Sequence, residues 1–171
     1  VGKSTGSAEN ATSDDFAGDV AAAVKFLKTR KEIDPTKIGL IGHSEGGIIG
    51  RYYVQCLGGD RRVRTLITLA SPHRGTPVAA IGAVTIGLFA RNMFQLLPYS
   101  RLNRRLARTP FPAHVTLVSI YSDADWMCPA RSCHAIDSAG REIGQNIEMQ
   151  GIGHNDFLFK KNPYKVIRKV L

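Results

Sequence analysis

A chain of 171 residues, 43% hydrophobic and 22% charged, can bury one substantial core and fits a single domain over 1–171 better than a disordered or fibrous chain. Its net charge of +9, from 23 basic against 14 acidic side chains, reads as solvated surface or as attraction to an anionic lipid surface or an acidic substrate. The basic clusters at Arg61-Arg62-Arg64, Arg101 to Arg108 and Lys160 to Lys169 lack interleaved aromatic residues and any recognition motif, which speaks against nucleic acid.

The chain opens Val1-Gly2-Lys3-Ser4-Thr5-Gly6. Gly-Lys-Ser-Thr looks like the tail of a phosphate-binding loop, yet no strand precedes it and a polar, aperiodic run follows, so its context does not support a nucleotide site. With neither an initiator Met nor a basic-then-apolar leader, the chain reads as processed or as a piece of something longer, and its compartment, secreted or cytoplasmic, stays open.

Ser13-Asp14-Asp15 should cap and start a helix, with Phe16, Val20, Ala23 or Val24, and Leu27 forming its buried stripe. Asp34-Pro35-Thr36 turns the chain. Lys37 to Gly42 is a short apolar run bounded by turn residues, the pattern of a strand buried on both faces. A second helix is expected from about Glu45 to Leu57, stopped by Gly58-Gly59.

Val63 to Leu69, His114 to Tyr121 and Asn146 to Gly151 read as further strands. Asn162-Pro163 offers a cap and a first-turn proline for a closing helix with Tyr164, Ile167, Val170 and Leu171 on its apolar side. Helices alternating with buried strands imply an α/β fold: a mainly parallel sheet with helices on both faces. The segment 77–112 interrupts that rhythm and reads either as a cap or lid insertion or as an ordinary crossover helix with a ragged loop. Val78 to Ala90 within it is too short and too broken by glycine to span a bilayer.

Gly42-His43-Ser44-Glu45-Gly46 is a G-x-S-x-G set between a strand and a helix. A sharp strand-to-helix turn there lifts the serine hydroxyl into the open, and side chains at the flanking glycines should collide with neighbouring elements. Ser44 is therefore the candidate nucleophile, and the backbone N–H of Glu45, at the positive end of the helix, the candidate oxyanion donor. A neutral serine needs a base, and the base an orienting acid, both expected beyond the carboxyl ends of later strands.

The turn Gly151-Ile152-Gly153-His154 supplies His154 as the base. The loop Ser122 to Pro129 supplies Asp125, preferred to Asp123, which lies closer to the strand end and suits a bracing role. His43, beside the nucleophile, and Val84, Ile86, Leu88 and Phe89 are candidate substrate contacts or acyl-pocket residues, although core packing explains the apolar ones equally well. Three cysteines are too few for a disulfide framework. Whether Cys128 and Cys133 pair locally is open, and with His134 they form only a loose cluster, not a metal-ligand pattern.

These motifs resemble the α/β-hydrolase superfamily. Asp125-Trp126-Met127-Cys128-Pro129 resembles its acid loop, Gly151 to His154 its histidine turn, and Arg51 to Pro77 is similar to bacterial triacylglycerol lipases. Glu45 stands where those lipases have Met, and GHSEGG with the residues before it is closer to dienelactone hydrolases and serine peptidases. The resemblance makes Val1 to Gly6 a Gly-x-Gly-x-Ser-like loop and puts the earlier strands, with a second oxyanion donor, before Val1. It implies a serine hydrolase of carboxylic esters acting on small-molecule or lipid substrates, without metal or organic cofactor. The same triad would also serve a peptidase, thioesterase or acyltransferase, and a non-catalytic hydrolase-like fragment would keep the elbow as scaffolding.

Overall fold

The computed structural model describes residues 12–77 and 95–171. The opening Gly-Lys-Ser-Thr and the pocket candidates Val84, Ile86, Leu88 and Phe89 lie outside them. Four strands, β1 (Gly39–His43), β2 (Thr65–Leu69), β3 (Thr116–Ser122) and β4 (Gln145–Met149), form one parallel sheet in the order β1-β2-β3-β4. All four therefore point their carboxyl ends the same way, and the loops that leave them gather along one rim.

Alternation along β2 and β3 sends side chains to two separate cores. Leu66 and Leu117 pack on one face with Ile48, Tyr52 and Val24; Ile67, Leu69, Val118 and Ile120 pack on the other. The first face is covered by α1 (Ser13–Leu27) and α2 (Glu45–Cys56). The second is covered by Phe157 of the short α5 (Asp156–Phe159) and by Val166, Ile167 and Val170 of α6 (Lys161–Val170). Between β2 and β3 runs α3 (Arg101–Arg108), and after β3 the single turn α4 (Ala130–Cys133).

Several details differ from the sequence pattern. β1 is not buried on both faces: it is one of the two edge strands among those described, and Ile41 is 53% exposed. The cap of α1 is Thr12, because Thr12 and Asp15 satisfy each other's backbone N–H groups in a reciprocal box that Ser13, with Phe16 three residues on, could not make. Val24 rather than Ala23 is buried, and Leu27 is largely exposed. α6 begins at Lys161, so Pro163 sits inside the first turn, where N–H groups have no intrahelical acceptor to lose. Tyr164 and Leu171 face solvent, and Val166 takes their place in the core.

Candidate active site

The turn from β1 into α2 holds Ser44 at φ 54°, ψ −125°, a left-handed conformation that side chains ordinarily avoid. Two anchors hold it there. Ser44 N donates to Leu69 O at 2.8 Å, extending the β1–β2 ladder, and α2 starts immediately after. A Cβ at Gly42 would come within 2.5 Å of the Gly46 carbonyl and of Gly47 N, so the bend closes only over a glycine. The other tight position is Gly47, whose Cβ would meet Ser71 Oγ at 2.1 Å. Gly46 has open space instead, which corrects the expectation that both flanking glycines of the motif are sterically required.

The loops after β3 and β4 converge on Ser44. His154 Nε2 lies 3.0 Å from Ser44 Oγ, and His154 Nδ1 lies 2.7 Å from Asp125 Oδ2. Asp125 and His154 are both buried. The other carboxylate oxygen, Asp125 Oδ1, accepts from the backbone N–H groups of Met127 at 3.0 Å and Cys128 at 2.9 Å, which fixes the acid's orientation. With Nδ1–H donating to the Asp125 carboxylate, Nε2 is left as the acceptor for the serine hydroxyl.

The histidine loop is pinned at three successive N–H groups. Gly151 N donates to Asp123 Oδ1 at 2.8 Å, Ile152 N to Ser122 Oγ at 3.0 Å and Gly153 N to Asp156 Oδ2 at 3.0 Å. Asp123 thus holds the two loops together, and the Gly151 N–H foremost, then the Ser122 hydroxyl and the Ala124 N–H, depress its carboxyl. His43 Nε2 donates to the His154 carbonyl at 2.9 Å, and the two rings lie 4.7 Å apart. The placement of His43 ties its ring nitrogen to the backbone of the histidine loop.

Burial alone would lower the His154 imidazole, but its hydrogen bond to Asp125 and contact with the Cys128 thiol outweigh it, so the net shift is upward. Cys128 is lowered below the usual thiol range, first by contact with Cys133 and then by His154; Cys133 is pushed up. Both are free thiols. The sequence gives no sign that Cys128 reaches His154, since the contact arises only when the β3 and β4 loops fold together. The remaining histidines stand elsewhere: His114 contacts Asp60 and His134 contacts Glu142, on exposed sites.

A second buried network was also missed. Arg51 of α2, fully buried, donates to Gln55 Oε1 at 2.8 Å and sits 3.4 Å from His73 Nδ1 in the loop after β2. His73 Nε2 in turn lies 2.9 Å from Thr68 Oγ1. Burial, then the Arg51 charge, drives the His73 imidazole well below its usual value, so it is neutral: Nδ1 accepts from Arg51 and Nε2–H donates to Thr68. Among the described residues no group of His, Cys, Asp and Glu could hold a metal ion.

Residues 2–119 match the family model described as palmitoyl protein thioesterase. A GPI inositol-deacylase of Candida albicans is 29% identical over 143 residues, covering 78% of this chain and 30% of that protein. An uncharacterized protein of Mycobacterium tuberculosis is 25% identical over 141 residues, covering 82% of this chain and 46% of that protein. The chain thus spans less than half the length of either relative. The mature Bacillus licheniformis lipase superposes with a TM-score of 0.70 at 12% identity, over 93% of this chain and 74% of that one, a likeness of fold. The architecture is that of the α/β hydrolases, of which this chain covers part.

Proposed function

The chain belongs to the palmitoyl protein thioesterase family, and from that premise we propose that it is a serine hydrolase that cleaves carboxylic esters of lipid or other acyl substrates. The observation that carries the reading is one imidazole bridging a serine at 3.0 Å and a buried carboxylate at 2.7 Å. Ser44 Oγ attacks the acyl carbonyl as its proton passes to His154 Nε2. The charge that develops on the imidazole is stabilised by Asp125, whose own orientation is locked by two backbone donors.

The negative charge moving onto the carbonyl oxygen meets the N–H of Glu45 at the positive end of α2. His154 then returns the proton to the leaving alcohol, and a water activated at the same nitrogen releases the acid from Ser44. His43 acts here as a positioning residue, holding the backbone of the histidine loop. None of these steps requires a metal or organic cofactor.

Ester turnover tests the reading. Ser44→Ala and His154→Ala should each lower p-nitrophenyl ester hydrolysis by about a thousandfold or more, since the triad acts as a unit. Asp125→Asn should cost a similar factor while Asp123→Asn costs far less. Undiminished turnover in Ser44→Ala, or absent fluorophosphonate labelling of the unaltered protein, would refute it. The family match also favours a second reading, hydrolysis of a thioester by the same groups. Oxygen and sulfur esters of one acyl chain, compared by kcat/KM, separate the two.

A further inference from the structure

A cavity of about 800 Å³, lined by none of the triad's members, lies between the loop after β2, α3 and the segment around α4. Its wall carries Arg51, Arg74, Arg104 and Arg131. Asp137, the one carboxylate on the wall among the described residues, is already engaged by Arg141 Nε at 2.8 Å. Among the described residues no carboxylate pairs with any of those four arginines.

Arg51 is the telling member. Its guanidinium is buried, which lowers it to about 10, so it still carries its charge at neutral pH. Its partners are neutral: the Gln55 side chain, the Leu106 carbonyl and the neutral His73. A cation taken out of water is ordinarily matched by an anion. Here the protein leaves that cation on the wall of a cavity that is also lined by Arg74, Arg104 and Arg131, all exposed.

Asn103 adds a second element. It lines the same cavity, its Nδ2 donates to Leu97 O at 2.8 Å, and its buried Oδ1 accepts no hydrogen bond among the described residues. An acceptor among cations suits a hydroxyl donor next to an anion.

We propose that this cavity is a binding site, distinct from the catalytic groups, for a phosphate ester that carries a hydroxyl near its phosphate. The arginines take the phosphate oxygens, for which the guanidinium fork is shaped, and Asn103 Oδ1 takes the hydroxyl. The same chemistry is offered by a soluble polyol phosphate and by a phospholipid headgroup.

The test uses the full chain carrying Ser44→Ala, so that binding is read without turnover and its outcome is separate from that of the hydrolase reading. Calorimetric titration with glycerol 3-phosphate and with inorganic phosphate, and sedimentation with phosphatidylcholine vesicles with and without phosphatidylglycerol, are compared. Saturable binding should weaken about tenfold for each of Arg74→Gln, Arg104→Gln and Arg131→Gln. These exposed positions leave the fold intact, and in chains that retain Ser44 the same substitutions should leave p-nitrophenyl ester turnover unchanged. Glycerol 3-phosphate should bind more tightly than inorganic phosphate, and Asn103→Ala should erase that difference. Binding to anionic vesicles alone, lost in the arginine variants, assigns the site to a lipid headgroup. No binding to any of these probes, or binding indifferent to all three arginine substitutions, overturns the proposal.

Discussion

At Ser44 the backbone is held in a conformation that only its surroundings justify, and the surroundings are unequal. Gly42 and Gly47 are packed against backbone and Ser71, whereas Gly46 is exposed and has nothing within 4 Å of a Cβ. Gly47→Ala should therefore destabilise the fold by about 1–3 kcal/mol as α2 is forced off the β2 loop. Gly46→Ala should stabilise it by up to about 1 kcal/mol, alanine being the better helix former. Thermal unfolding of the two variants checks the asymmetry, and equal losses would contradict it. The five-residue motif made the serine legible from the sequence, but not which glycine is sterically bound, because that depends on where Ser71 arrives.

The same scale governs the pH response. In the proposed mechanism His154 works as a base only when unprotonated, so its upward shift should move the onset of activity to higher pH. The acid limb of kcat/KM should have its midpoint above the ordinary imidazole value of about 6.5. Cys128→Ser removes one of the two upward influences and should shift that midpoint downward without abolishing turnover. An unmoved midpoint would show that the thiol has no part in it.

Among the elements, the loop joining β2 to the rest of the chain is the one that ties the layers together. His73 binds Thr68 of β2 on one side and Arg51 of α2 on the other, and it does so as a neutral ring. Its folded pKa is depressed, so below about 6.5 the unfolded chain takes up a proton that the folded chain refuses, and stability falls with acid. His43, also lowered, by burial first, acts in the same direction. His154 has the opposite sign: its raised pKa adds stability that is present below about 6.5 and lost as pH rises through the raised value, so it does not cancel the acid loss. Urea unfolding between about pH 6 and 5 should show stability falling by at least roughly 1.4 kcal/mol per pH unit, the slope for one proton. A flat profile would mean that His73 protonates in place. Sequence pattern located β2 and α2 but could not reveal Arg51, since a charged residue in a helix reads as surface until both of its sides prove covered.

For the molecule as a whole, the two-faced parallel sheet was legible because Leu66 and Ile67, or Leu117 and Val118, are apolar neighbours that only a sheet covered twice can bury. The same logic failed at β1, where an apolar run marks an edge of the described sheet. It allowed a crossover helix within 77–112 but gave no bounds for α3, because the arginine-rich stretch 101–108 buries only Leu102, Asn103 and Leu106. Asp125 and His154 were legible as loop residues at strand ends. Their meeting with Ser44 follows from the shared direction of all four strands rather than from any local pattern.

Ser44 and His154 stand 110 positions apart, and three successive strand pairings carry them to the same rim. Slipping any one of those pairings by a single residue would turn the strand's side chains to the opposite face and carry its loop away. Fluorophosphonate capture at Ser44 therefore serves as a census of correctly threaded copies. A helical circular-dichroism spectrum would also count molecules whose strands have settled one notch out of step.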